Sequence, residues 1–213
     1  LMLLFVMFSY FHIKSIGSSS NVNILLAFIA SALSLYFKEP AAAVFLSIAI
    51  FELIFLKNAK HRKYYLYLLI LHSIVFLIQY YFIVYLNANH FYNEGRSGGK
   101  DILETGIQIL KGHPIHAAMV LLAFIRFFVI VVRKSQATVI DSFLIAGIVY
   151  GFSFILLKLP SARFQSPVYI FYIPILFYLL HYCFSTKVVK KIIIISFLIT
   201  ALLLFVKKEY FNN

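Results

Sequence analysis

Apolar runs recur from one end of this chain to the other, several of them close to 20 residues long, and only short polar connectors separate them. A helix needs about 20 apolar residues to cross roughly 30 Å of hydrocarbon. The pattern therefore predicts an all-α fold, a polytopic bundle of transmembrane helices forming a single domain over residues 1–213. Composition agrees, since 63% of the 213 residues are hydrophobic and 12% are charged, against roughly half and a quarter in soluble domains. The expected location is a membrane, and the first expected partner is the lipid bilayer.

The net charge of +12 would suggest nucleic acid in a soluble protein. Here the basic residues gather between apolar runs, where they set topology and meet anionic headgroups, so no nucleic-acid partner is expected. The candidate membrane helices are 1–13, 22–37, 40–56, 64–86, 114–132, 138–158, 167–184 and 189–206. Segments 22–37 and 40–56 are each short for a perpendicular span but too long together for one helix of ordinary tilt. Pro40 suits the first turn of a new helix because it lacks an amide hydrogen, so a tight turn between two short spans is predicted. Leu1 opens inside the run LMLLFVMFSYF with no basic leader before it, which argues against a signal peptide. The chain reads as the C-terminal part of something longer.

Lysine and arginine in the short connectors give the orientation. Lys57, Lys60, Arg62 and Lys63, then Arg133 and Lys134, then Lys187, Lys190 and Lys191 are assigned to the cytoplasmic side. That puts the turn at Lys38 and Glu39, the connector 87–113 and the connector 159–166 together on the outer face. Within 87–113, Asp101 followed by Glu104 resembles a capping box opening a short helix with Ile102, Leu103, Ile107, Ile109 and Leu110. Gly112 can end that helix and Pro114 can begin the next. Its mixture of polar and apolar positions suits a helix lying on the membrane surface.

Some polar residues stand out against this background. Lys38 and Glu39 interrupt a long apolar stretch as YFKEPAA. Two charges at a helix end can simply sit in the interface, with lysine snorkelling. Alternatively, a lysine at the mouth of a bundle binds a phosphate while the glutamate orients it. His113 and His116, in GHPIH, supply two metal ligands but no third is evident nearby, so they read as interface histidines. No cofactor is identified, and a divalent metal finds no support. Arg126 lies inside an apolar span, either snorkelling or paired with Asp141 or Glu52. His72 and Gln79, seven positions apart, share a helix face and read as internally hydrogen-bonded.

At LLAFIASALSLYFKEPAAAVFLSIAIFELIF the chain resembles the membrane glycosyltransferases of the C superfamily, in which a small-residue-rich helix ends in a lysine, often Lys-Glu, before another apolar helix. A second stretch, SARFQSPVYIFYIPILFYLL, is similar to that family's late segment, where an arginine and aromatic pair precedes a helix containing proline. Here the pair is Arg163 and Phe164 rather than arginine and tyrosine, so no hydroxyl is carried at that position. The resemblance implies inverting transfer of a sugar from a polyprenyl-phosphate donor at the outer face. It makes Lys38 and Arg163 ligands of the donor phosphate, with Glu39 supporting them. The family's carboxylate general base belongs to an acidic motif in the first outer loop, upstream of the matched region, and no catalytic residue is assigned in this chain. The alternative readings are an O-antigen polymerase or ligase, and then a transporter or lipid flippase.

Overall fold

The computed structural model describes residues 1–17, 20–58, 60–86, 102–132, 136–156 and 166–184. Among them the regular elements are all helical and there is no strand. In chain order they are α1 (Met2–Gly17), α2 (Asn21–Phe37), α3 (Pro40–Phe55), α4 (Lys60–Gln79), α5 (Ile102–Gly112), α6 (Pro114–Val132), α7 (Val139–Leu156) and α8 (Tyr169–Phe184). A π-helical segment, Tyr80–Tyr85, extends α4, and a 3-10 turn, Ser166–Val168, leads into α8.

Seven of the predicted segments fall on these helices, and 189–206 lies outside the described residues. Among the described residues, two helices, Lys60–Phe82 and Pro114–Val132, are long and apolar enough to cross a membrane. The other apolar helices are shorter. Pro40 is the first residue of α3 and Pro114 the first of α6, while Gly112 closes α5. Each position follows from the backbone: proline has no N–H to lose at a helix start and its φ is already helical. The start of α4 differs from expectation. It begins at Lys60 rather than 64, because the basic run itself forms the first turn.

The packing has α3 at its centre. It buries Pro40, Ala41, Ala42, Val44, Phe45, Ile48, Ala49, Phe51 and Glu52, which leaves little of its circumference exposed, as expected of a helix that is apolar all round. Helices α4 and α7 pack directly against it. Outside these, α1 lies along α2, and α5 and α6 lie against α7. Helix α2 divides largely by side-chain size. Asn23, Ala27, Ala30, Ser31 and Ser34 face inward together with the larger Leu35, while Val22, Leu25, Ile29, Leu33 and Tyr36 form an exposed apolar stripe. Small residues on one face let helix backbones approach closely where lipid supplies no hydrophobic drive. An aromatic core joins α1, α3, α7 and the start of α8: Phe5 meets Phe45, Tyr150 and Phe171 at ring-centre separations of 6.0, 5.8 and 5.0 Å.

Helix α6 is the most outward-facing, with Leu121, Phe124, Ile125, Phe127, Phe128, Val131 and Val132 exposed. Helix α5 buries Thr105 and Ile109 but exposes Ile102, Leu103 and Ile107, the two-sided pattern of a helix at an interface. Asp101 lies outside the described residues, and Glu104 accepts a hydrogen bond from Gln108 at 3.2 Å. The chain divides into two compact units, residues 1–172 and 173–213. The second is described only from Ile173 to Phe184, where Pro174 sits inside α8 and Ile173, Phe177 and Tyr178 are exposed.

Candidate functional site

The two-residue turn predicted at Lys38 and Glu39 is present. Helix α2 ends with Lys38 extended (φ −158°, ψ 128°), its N–H donating to Ser34 O at 3.3 Å. Glu39 is already helical, and the carbonyls of Lys38 and Glu39 accept from Ala41 and Ala42 at 3.0 Å. Both charged residues are half-buried and stand beside the exposed Tyr36 and Phe37. The proposed second phosphate ligand, Arg163, lies outside the described residues, as do Phe164, Arg133, Lys134, Lys187, Lys190 and Lys191.

His113 and His116, at the start of α6, form a two-rung ladder with the start of α8. His113 Nδ1 is 3.1 Å from the Tyr169 hydroxyl, and His116 Nδ1 is 2.8 Å from the Tyr172 hydroxyl. Both rings are buried. Glycines on α7 make this possible: a Cβ on Gly151 would collide with the His116 ring, and one on Gly147 with the Tyr172 ring. These are therefore interior histidines held by phenols rather than side chains at an open interface. Among the described residues, no group of three or more His, Cys, Asp or Glu is arranged to hold a metal ion.

Arg126 is paired with Asp141, one of its two expected partners. The guanidinium donates through Nε to Oδ1 at 2.7 Å and through Nη2 to Oδ2 at 2.8 Å, the two-pronged geometry that arginine favours. Asp141 is also the third residue of α7 and accepts from the Thr138 N–H at 2.8 Å and its hydroxyl at 3.0 Å, as in a capping box. His72 departs from expectation. Its Nε2 is buried with no hydrogen-bond partner among the described residues, and its ring lies 5.4 Å from that of Phe28. Gln79 is exposed, so the two do not share an internal network.

The most elaborate polar cluster includes residues that sequence reasoning did not assemble. It forms where α1 and α3 end and α4 and α7 begin. Glu52 is fully buried in the last turn of α3; its Oε1 accepts from His12 Nε2 at 2.8 Å, and its Oε2 from Arg62 Nη2 at 2.6 Å. Arg62 donates further through Nη1 to Ser15 Oγ at 2.5 Å and through Nε to Asn58 Oδ1 at 3.1 Å. Asn58 returns its amide to the Glu52 carbonyl at 2.6 Å. From α7, Ser142 Oγ lies 3.0 Å from Glu52 Oε1 and 2.7 Å from the Val139 carbonyl, which share its one proton.

His12 Nε2 faces both the Glu52 carboxylate at 2.8 Å and Arg62 Nη2 at 3.1 Å, and its Nδ1 lies 3.3 Å from the Tyr65 hydroxyl. The carboxylate of Glu52 and the guanidinium of Arg62 cancel in charge. A buried ion pair is tolerable on such terms, with its remaining hydrogen-bonding positions occupied. Phe8 stacks on the His12 ring at 4.9 Å and closes one side. The cluster ties four helices together.

The available signal was Glu52 itself, a lone carboxylate in SIAIFELIF. An ionisable residue inside an apolar helix calls for a partner, but four lysines and arginines and a histidine in the following connector offered too many choices. No protein-family model, curated protein or solved structure matches the chain.

Proposed function

We propose that the protein is a polytopic membrane glycosyltransferase of a bacterial inner membrane. It moves a sugar from a polyprenyl-phosphate donor to an acceptor at the outer face. The supporting observation is the Lys38 and Glu39 turn, at the end of α2 and α3 away from the Glu52 cluster and beside exposed aromatic side chains. A cation at the rim of an apolar bundle sits at the depth where a lipid phosphate lies. In this reading α1, α2 and α3 also cross the membrane. Seventeen helical residues in α2 rise about 25 Å, short of the full hydrocarbon thickness but compatible with local thinning.

Lys38 and Arg163 stabilise the negative charge that develops on the lipid phosphate as the sugar leaves, and Glu39 orients the lysine. A second reading, a transporter or lipid flippase, is favoured by one observation. The His12, Glu52 and Arg62 cluster puts ionisable groups inside an apolar bundle, as coupled transporters do. It ranks second because the cluster lies at the end of the helices rather than midway.

The test is sugar transfer from polyprenyl-phosphate donors in membranes carrying Lys38→Ala or Arg163→Ala at matched expression. Each substitution is expected to lower transfer by about 10²-fold, the effect of removing one charge-stabilising donor. Near-normal transfer in both variants would overturn the phosphate-site assignment.

A further inference from the structure

We infer that the end of the bundle built around Glu52 and Arg62 is a docking surface for the anionic phospholipid headgroups of one membrane leaflet. Its basis is how the basic run is divided. Of the basic residues from Lys57 to Lys63, only Arg62 is buried, whereas Lys57, Lys60, His61 and Lys63 are exposed. Arg62 is held by Glu52, Ser15 and Asn58, which fixes both the first turn of α4 and the connector before it. Helical spacing then turns the neighbouring cations outward. Exposed Lys14 joins the same rim, because it lies between His12 and Ser15, both of which contact Arg62.

The carboxylates at this end among the described residues are Glu52 and Asp141, and both are engaged internally by arginines. The rim therefore keeps a net positive charge.

A second observation points to a leaflet rather than to a soluble anion. Along the exposed side of α4, Lys60, His61 and Lys63 are followed by Tyr64 and Tyr67 and then by Leu68, Leu71, Val75 and Ile78. Helix α1 carries the same residue types in the opposite chain direction, Lys14, then Tyr10, then Val6, Met7 and Leu3, with exposed Ile13 and Ile16 flanking Lys14. Lys14 Nζ donates to the Tyr10 hydroxyl at 3.3 Å. Cation, tyrosine and aliphatic side chain in succession match the path from headgroup phosphate through the interface to hydrocarbon. Two helices with opposite polarity share this gradient at the same end.

This inference goes beyond sugar transfer and stands on the membrane location alone. The test uses the full chain in neutral detergent, with its thermal unfolding followed after adding phosphatidylglycerol, phosphatidylcholine or water-soluble glycerol phosphate. Phosphatidylglycerol is expected to raise the midpoint by several degrees, because a ligand of the folded state stabilises it by mass action. Phosphatidylcholine and glycerol phosphate are expected to have smaller effects or none. Replacing Lys57, Lys60 and Lys63 together with glutamine should remove the rise, whereas Lys111→Gln in α5 should retain it. Equal shifts with both phospholipids, or a full phosphatidylglycerol shift in the triple variant, would overturn the inference without touching the proposed reaction. So would a glycerol phosphate shift as large as the lipid one.

Discussion

Glu52 is the residue on which most of the internal polar structure depends. It holds His12, Arg62 and Ser142 at once, from three other helices. Removing it would leave the Arg62 guanidinium buried without its carboxylate, a change that typically costs roughly 3–5 kcal/mol. Glu52→Leu is therefore expected to lower the unfolding midpoint in detergent sharply. The double variant Glu52→Leu with Arg62→Leu should recover part of the loss, because it strands no charge. Identical midpoints for Glu52→Leu and the parent protein would contradict the assigned pair.

At the scale of elements, the glycines of α7 decide how closely neighbouring helices approach. Gly147 and Gly151 lie four positions apart and face Tyr172 and His116, rings that come from α8 and α6. Gly112, at the end of α5, has open space where a Cβ would go. The two kinds of glycine should respond differently to the same substitution. Gly151→Ala forces the His116 ring to move and is expected to cost about 1–3 kcal/mol, as overpacked cores do. Gly112→Ala is expected to be neutral or slightly stabilising, since it restricts the unfolded chain without a clash. Urea or thermal unfolding curves of the two variants in one detergent provide the comparison.

For the molecule as a whole, the exposed apolar surface is the dominant physical fact. Helix α6 presents aromatic and aliphatic side chains over much of its circumference, and exposed stripes continue on α1, α2 and α4. In water such a surface would aggregate, whereas in a bilayer it needs no further cover. Phe124 is exposed near the middle of α6. Phe124→Arg should disfavour insertion of that helix by about 2.5–3.5 kcal/mol, the cost of an arginine at a helix centre. Alkaline extraction of membranes should then release a larger share of the variant. Unchanged retention would argue against α6 as a lipid-facing span.

The helices and several of their ends were legible in the order of residues. Apolar runs, Pro40, Pro114 and Gly112 act through local backbone chemistry, and the helices begin and end where that chemistry directs. The turn at Lys38 and Glu39 belongs to the same class. The pairing of Arg126 was legible only as a choice between Asp141 and Glu52, and the packed structure made it, because Glu52 is taken by residues 40 and 10 positions away. His12 carried no local signal at all. Its partners come from α3 and α4, and its place beside Glu52 exists only once α1 runs alongside α3 with their ends together. Local sequence specifies where a helix starts and which side chains prefer lipid. Which buried charge meets which counter-charge depends on the register between helices, and that is set by the packing of small and aromatic residues over the whole bundle.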